Sequence, residues 1–584
     1  MTDTLQIVPP EARAARLARL DGSHPQVLVI GGGINGASVY RELALNGVEV
    51  ALVDKADFCA GASSALSRMV HGGLRYLENG EFDLVREALD ERNRLLANAP
   101  HQVRPLRTVM PIDSWFSGTL NAPLKFLGLT RAPSRRGALP VRLGLWFYDI
   151  YTRGRGGMPR SRFLMRKAAM SRFPAFPART RCAAAYFDGQ VSHPERVVTE
   201  IFEDVARAGC DATTINYLAV TSIGPDGVIL QDRIAGKALT CKPDIVINAT
   251  GAWLDLTNGH LSPPPRENLV EGTKGSHLMV DHPELREILG EDMVYYENLD
   301  GRICILFVLH GMVLIGSTDL KVPDPDGIRC EEEERAYILE GLRTVFPGIT
   351  IRENQVRFIF SGVRPLPVSA AGTTGQIPRG HYTHWLNPSK QDDHAPILCM
   401  IGGKWTTFRA FGELAADETL ARLGRTRSIA TDDLAIGGGK SFPESPADWI
   451  ARVSARSGLP DDRVATLLAR YGTLAEALAQ TFAGEQPLAS PPGYSDKEID
   501  YLVAHEQVET LEDLVLRRSV IALAGQVDAQ TLATLADRLA TAKGWNDADR
   551  TACLTAFQQK LVADHGLTPE RVGLATCNRE VAAE

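Results

Sequence analysis

Residues 26–55, QVLVIGGGINGASVYRELALNGVEVALVDK, most narrow what this chain can fold into. Val27–Ile30 is a short apolar run of strand type that passes directly into Gly31-x-Gly33-x-x-Gly36. Ala37–Asn46 continues at helical spacing, Gly47 stops the helix, Val48–Val53 reads as a second buried strand, and Asp54 ends it. Strand, glycine turn, helix, strand, acid is the order of a dinucleotide-binding unit. Its glycines serve a tight turn, close approach of backbone to a pyrophosphate, and tight packing of helix on strand. The helix N-terminus offers N–H groups to the phosphates, and Asp54 can accept from a ribose hydroxyl. A bare glycine turn would lack these flanking elements.

The 584 residues are enough for two to four domains with a sizeable core. A net charge of −8 argues against nucleic acid as the main partner. The nine cysteines, at 59, 182, 210, 241, 304, 330, 399, 553 and 577, are scattered and include no Cys-x-x-Cys pair. That usage suits a reducing cytosol better than a disulfide framework, and makes a metal site unexpected. Residues 1–25 carry acids early and arginines later without a long apolar region, which is not a secretory signal. Glu11–Leu20 reads as a short helix. The longest apolar run, Ile303–Gly316, is interrupted by His310 and Gly311, so it reads as two strands and a turn rather than a bilayer span of about 20 residues.

Beyond Asp54, the small residues of Cys59–Ser64 suit a loop passing close under a phosphate or a ring, and the glycine pair at 72–73 precedes a helix over Phe82–Ala97. Residues 103–185, rich in proline and arginine, read as irregular. Within them Phe116–Gly137 mixes apolar positions with Arg131, Arg135 and Arg136, either a basic surface loop or a patch for anionic lipid. Tyr186–Val191 reads as a strand and Pro194–Arg207 as a helix with proline in its first turn. Asp244–Gly251, DIVINATG, reads as a buried strand of the kind that returns beneath a cofactor. Strands are expected around His277–Asp281, Ile303–Leu309, Val313–Ser317 and Gln355–Ser361, and an acidic helix over Glu331–Phe346. Ile397–Ile401 leads through a second glycine turn, Gly402–Gly403, into a helix over Phe408–Leu423. GGGKSFPESP, from Gly437, reads as a linker. Amphipathic helices follow it, with capping-box spacing at Ser495-x-x-Glu498 and at Thr510-x-x-Asp513 before Leu514–Leu523.

In order, the segments VIGGGINGA, SSALSRMVHGGLRYLE, VINATGAW, KGSHLMV, IGSTDL, SGVRPL and GGKWTTF resemble the flavin-dependent, respiratory glycerol-3-phosphate dehydrogenases and the related glycerophosphate oxidases. The likeness covers about residues 27–110, 141–155, 186–260 and 270–430, and more weakly 490–545. It implies an α/β fold: a two-dinucleotide-binding, Rossmann-like FAD domain, an antiparallel-sheet substrate domain and a helical C-terminal domain. The corresponding segments are an extension over 1–25, FAD-binding residues 26–100, 186–262 and 362–436, substrate-binding residues 101–185 and 263–361, and helices over 437–584.

The resemblance implies FAD as cofactor, held by Gly31, Gly33, Gly36 and Asp54 at the ADP half. Ser63, Ser64 and Arg68 would lie along the phosphates and ring, and Gly251, Gly402, Gly403 and Thr406 under the flavin. It implies a polyol phosphate as substrate, bound by Arg75, Tyr76, Arg364 and Lys404. Such a dianion calls for several cations, and Arg364 can offer a bidentate fork where Lys404 offers a point charge. Oxidation at C2 of sn-glycerol 3-phosphate, with hydride to flavin N5 and electrons passed to a quinone, needs a group to take the hydroxyl proton. His71 and His277 are the two candidates. An oxidase using oxygen and a dehydrogenase of another polyol phosphate share these motifs. The expected location is cytoplasmic, peripherally on the inner face of the cell membrane, and a homodimer is left open.

Three stretches depart from the family's usual pattern. SHPER at 192–196 replaces a more common acidic stretch followed by alanine and arginine. SALSR at 64–68 has Leu66 and Arg68 where serine and lysine are usual. The loop Trp115–Gly137 is expanded.

Overall fold

A computed structural model describes residues 5–73, 82–117, 137–151, 158–298, 300–368, 380–388 and 394–574. Two large sheets organise it. The first has six strands in the order His381–Leu386, Ile397–Gly402, Ile245–Asn248, Val27–Ile30, Val50–Val53 and Ala212–Ile215. Five run parallel, and His381–Leu386 closes one edge antiparallel. Parallel strands are covered on both faces, which is why these segments are apolar throughout rather than alternating. The Ile34–Leu45, Pro194–Arg207 and Phe408–Arg422 helices cover one face through Leu43, Phe202 and Phe411. The other face packs on Leu20 and the three-stranded meander Leu218–Asp232 and Ala238–Cys241.

The second sheet has ten strands, antiparallel except where Asp292–Glu297 runs parallel to Val103–Ile112. Neighbouring side chains on its strands point to opposite faces. Leu278, Val280, Leu306 and Ile315 face the Glu332–Val345 helix, whereas Met279, Phe307, Phe358 and Phe360 face the C-terminal helices. Those helices therefore share one core with the sheet. Each fully buried Leu or Phe contributes on the order of 1.5–3 kcal/mol.

The region expected to be irregular, 103–185, supplies two central strands of this sheet, Val103–Ile112 and Cys182–Val191, and the helix Ala138–Tyr151. Pro105 and Pro111 disguise the first strand; in the ladder they lie opposite the small residues Gly189 and Ala183. The expected domain limits at 186 and 362 fall inside continuous strands of this sheet, Cys182–Val191 and Val356–Pro367. Nor is Gly437–Gly439 a solvated linker: all three glycines are buried, and a Cβ on Gly438 would meet the Tyr471 carbonyl oxygen at 1.9 Å. The helix expected over Leu514–Leu523 stops at Arg518 after one wide turn. The Thr510–Asp513 capping box forms. Ser495 caps its helix, but Glu498 is drawn instead to Arg470 and Tyr471.

Candidate active site

The carboxyl ends of four parallel strands converge at one point, where α/β sheets bind their ligands. Val27–Ile30 delivers Gly31–Gly36, Val50–Val53 delivers Asp54, Ile245–Asn248 delivers Ala249–Gly251, and Ile397–Gly402 delivers Gly402–Lys404. Gly31, at φ +108°, sits so close to the returning strand that a Cβ would lie 2.7 Å from the Ala249 carbonyl oxygen. A Cβ on Gly36 would lie 1.9 Å from the Gly31 oxygen. These two glycines hold helix, turn and strand together. On Gly33 a Cβ would meet only the Ser63 hydroxyl, at 3.0 Å, so this glycine faces the opening.

Asp54 is half-buried and accepts from Gly32 N at 2.7 Å and Ala56 N at 2.9 Å. Loss of water outweighs those two bonds and pushes its carboxyl up to about 6. Ser63 Oγ accepts from Ile34 N at 2.9 Å, capping the same helix, and Ser64 Oγ donates to Gly61 O. Gly251 has φ +61° beside Pro365. The second glycine turn leans on the first helix: Gly403, at φ +96°, would place a Cβ 3.1 Å from Asn35 Nδ2. Asn35 Oδ1 is buried there without a hydrogen-bond partner among the described residues. A cradle that side chains would fill, a helix N-terminus beside it and this orphaned acceptor fit an extended dinucleotide.

Arg68 does not join that cradle. Its guanidinium is buried and donates to both oxygens of Glu195 at 2.8 Å and to Ser64 O at 3.0 Å. The expectation that it lines the phosphates and ring fails because its charge is already matched inside the protein.

The second sheet meets the cradle along Val270–Val280 and Val356–Pro367. Arg364 lies over Gly275, where a Cβ would come within 2.2 Å of its NH2. Its guanidinium donates to Ser317 Oγ at 3.1 Å and pairs with Asp319 at 3.2 Å, with the Thr318 carbonyl at 3.4 Å. The fork is thus held rather than open on all sides. Gly275, Ser317 and Asp319 were not expected as site residues, although they stand within the KGSHLMV and IGSTDL motifs. Lys404 Nζ is buried, and its charge, after burial itself, holds the neighbouring His381 imidazole down to about 4.

The two histidines are not equivalent. His277 is fully buried, stacked on Phe360, with Nε2 2.8 Å from Ser67 Oγ. Burial first, then the charges of Arg364 and Arg68, push it down to about 3, so it stays neutral. His71 is half-buried, and its N–H donates to Thr406 Oγ1 at 3.3 Å, tying it to the second glycine turn. Next to it, Gly72 N donates to Asp188, which also accepts from Tyr148 OH. Arg75 and Tyr76 lie outside the described residues.

Residues 26–418 match the model of the FAD dependent oxidoreductase family, and 429–550 match the C-terminal domain of alpha-glycerophosphate oxidase. A glycerol-3-phosphate dehydrogenase of Synechocystis is 32% identical over 89% of this chain and 93% of its own. The aerobic glycerol-3-phosphate dehydrogenase of Escherichia coli is 30% identical over 84% and 93%, and a D-erythritol 1-phosphate dehydrogenase of Brucella abortus 31% identical over 84% and 93%. The fold is that of the Bacillus halodurans glycerol-3-phosphate dehydrogenase solved with FAD: TM-score 0.70, 22% identity, covering 94% of this chain and 97% of that one.

Proposed function

The chain belongs to the FAD-dependent oxidoreductase family, and from that premise we propose that it oxidises sn-glycerol 3-phosphate at C2 to dihydroxyacetone phosphate and delivers the electrons to a respiratory quinone. FAD is the cofactor, and when bound it supplies the two-electron acceptor. The observation that supports the substrate reading is that Pro365, next to Arg364 in the chain, lies 3.7 Å from the place of a Cβ on Gly251, while Lys404 follows directly on the second glycine turn. Arg364 binds the phosphate through its fork, and Lys404 adds a second positive charge from the glycine turn. Arg75 and Tyr76 are assigned to the same anion by sequence position alone.

His71 is the better candidate to take the C2 hydroxyl proton. Its backbone is held at Thr406, whereas His277 is sealed behind Ser67 and too weakly basic to hold a proton near neutrality. His277 is instead assigned to positioning the Ser67 loop. Ser63 and the first turn of the Ile34–Leu45 helix are assigned to the pyrophosphate, and Asp54 to the ribose.

Attachment to the membrane is proposed to be peripheral. Among the described residues no helix is long and apolar enough to cross a bilayer. The Ala138–Tyr151 helix, however, exposes Leu139, Leu143 and Trp146 along one side, next to exposed Phe116. Most of the loop first assigned this role, 118–136, lies outside the described residues.

The deciding experiment is anaerobic bleaching of the bound flavin by a panel of polyol phosphates. Glycerol 3-phosphate should bleach fastest, and glycerol poorly. The Brucella relative favours a second reading, a longer polyol phosphate, which faster bleaching by erythritol phosphate would establish. Stoichiometric peroxide in air would replace the quinone by oxygen. Arg364→Lys keeps the charge but loses the fork, so it should weaken apparent glycerol 3-phosphate binding by roughly 1–3 kcal/mol. Equal slowing with glycerol and with its phosphate would remove Arg364 from phosphate recognition.

A further inference from the structure

On the far face of the second sheet from Arg364, one buried carboxylate gathers four donors. Glu334 stands in the first turn of the Glu332–Val345 helix. Its Oε1 accepts from Thr318 Oγ1 at 2.6 Å and from Ser276 Oγ at 2.9 Å. Its Oε2 accepts from Lys274 Nζ at 2.6 Å and from Glu331 N at 3.1 Å. Burial by itself would raise this carboxyl, but the bonds from Lys274 and Thr318 outweigh it and hold the group below its ordinary value, ionised at neutral pH. An ionised carboxylate only accepts, so the rest of the network has fixed directions. Thr318 Oγ1, its proton turned to Glu334, accepts from Ser276 N at 2.9 Å, and Ser276 Oγ accepts from Ser361 Oγ at 2.8 Å.

These partners belong to the three segments on which Arg364 rests. Ser276 follows Gly275, over which the guanidinium lies, and Ser361 is three residues before Arg364 on its own strand. Thr318 stands between Ser317 and Asp319, which hold the guanidinium, and offers it a carbonyl at 3.4 Å. Side chains alternate along a strand, so Ser276 and Ser361 point away from Arg364 and toward the helix. The carboxylate therefore ties two strands and a turn together from below without touching the arginine. Glutamine would set an amide nitrogen against two of the four donors, so hydroxyls must reverse or Lys274 must lose its partner.

We infer that Glu334 is a positioning residue for phosphate recognition: through Ser276 and Thr318 it fixes the strand and the turn that set the angle of the Arg364 fork. The inference deepens the polyol-phosphate reading and rests on it for the ligand and for the role of Arg364. A bidentate fork depends on its angle more than a point charge does, so a small shift of the turn is felt at the phosphate. A polyol without phosphate is indifferent to it.

The test uses FAD-loaded protein. Inorganic phosphate is titrated by calorimetry, and glycerol 3-phosphate and glycerol are compared in steady-state turnover and anaerobic bleaching. Glu334→Gln should weaken phosphate binding and raise KM for glycerol 3-phosphate about tenfold, with kcat within threefold and bleaching by glycerol unchanged. Thr318→Val, similar in shape but without the hydroxyl, should weaken phosphate binding about threefold. In an Arg364→Ala background, Glu334→Gln should add less than twofold, because its effect passes through that arginine. A folded Glu334→Gln protein that binds phosphate within twofold of wild type overturns the inference, as does a full tenfold loss added to that of Arg364→Ala. If Glu334→Gln does not fold, wild-type phosphate affinity in Thr318→Val overturns it instead. Should no polyol phosphate bleach the wild type, the proposed function fails, and the phosphate titrations still decide Glu334. Wild-type protein that binds no phosphate, or Arg364→Ala that binds it as tightly as wild type, counts against both.

Discussion

Arg68 and Glu195 close a two-pronged ion pair, with NH1 and NH2 each 2.8 Å from a carboxylate oxygen and both side chains almost wholly buried. It joins two of the stretches that depart from the family's usual pattern, SALSR and SHPER, across 127 residues of sequence.

Removing one partner strands the other charge away from water. Glu195→Gln should destabilise the fold by about 3–5 kcal/mol, whereas replacing both residues by apolar side chains of similar volume should cost far less. Urea unfolding of the single and double variants checks this. A single-variant loss below 1 kcal/mol would mean that water reaches the pair.

The glycines of the first turn should separate by role. Gly33→Ala adds a methyl facing the opening, near Ser63, so the protein should fold and lose FAD occupancy. Gly36→Ala would drive a methyl into the Gly31 carbonyl and should lower the melting temperature whether or not FAD is present. Flavin absorbance per protein and thermal melting distinguish the two. Full occupancy in Gly33→Ala would contradict the site.

Gly275→Ala should act on Arg364 alone. The added Cβ meets the far end of a flexible side chain, which can move away, so the fold is kept while the guanidinium is displaced. KM for glycerol 3-phosphate should rise about tenfold, the loss of one charged hydrogen bond, with the melting temperature unchanged. An unaltered KM would show that Arg364 tolerates the shift or does not bind substrate.

His277 makes a prediction about acid. Its folded value, about 3, lies below that of the unfolded imidazole, so the unfolded chain takes up a proton first as the pH falls. The stabilisation from this group is complete above about pH 6.5 and is lost progressively down to about 3. Between pH 7 and pH 5 it should account for about 2 kcal/mol of lost stability, and His277→Gln should flatten that slope. Equal pH dependence in both proteins would show that the imidazole is not held neutral.

On the proposed membrane face, Leu143→Glu and Trp146→Glu change exposed side chains and should leave the fold intact. Each should reduce sedimentation with anionic vesicles severalfold. Undiminished binding in the double variant would place the attachment elsewhere.

How far the chain could be read depended on how local each signal was. The strand–glycine–helix–strand unit and the Pro194–Arg207 helix were legible because periodicity, glycine and proline act within a few residues. Val103–Ile112 was not, since its two prolines mimic a loop and only the pairing with Gly189 and Ala183 makes room for them. Arg68 was misread for a related reason: it follows a serine-rich cofactor loop, and nothing nearby reveals that Glu195 already holds its charge. Gly275 and Asp319 stood inside recognised motifs, but their bearing on Arg364 depends on the packing of neighbouring strands and loops.

Asp57 lies three residues beyond Asp54 and is fully buried. Arg517 Nε lies 2.6 Å from it, Arg518 reaches it at 2.7 and 2.9 Å, and Asn216 donates at 2.9 Å. The cofactor loop is thus clamped by the end of the chain that looks most like an appended module. Such a module is not interchangeable. A chimera that takes its last third from a relative will inherit a working flavin loop only if the donor brings both arginines in register, and a truncation before Arg517 removes both cations that hold this carboxylate. What reads as an add-on in sequence behaves, in the folded molecule, as the far half of a joint.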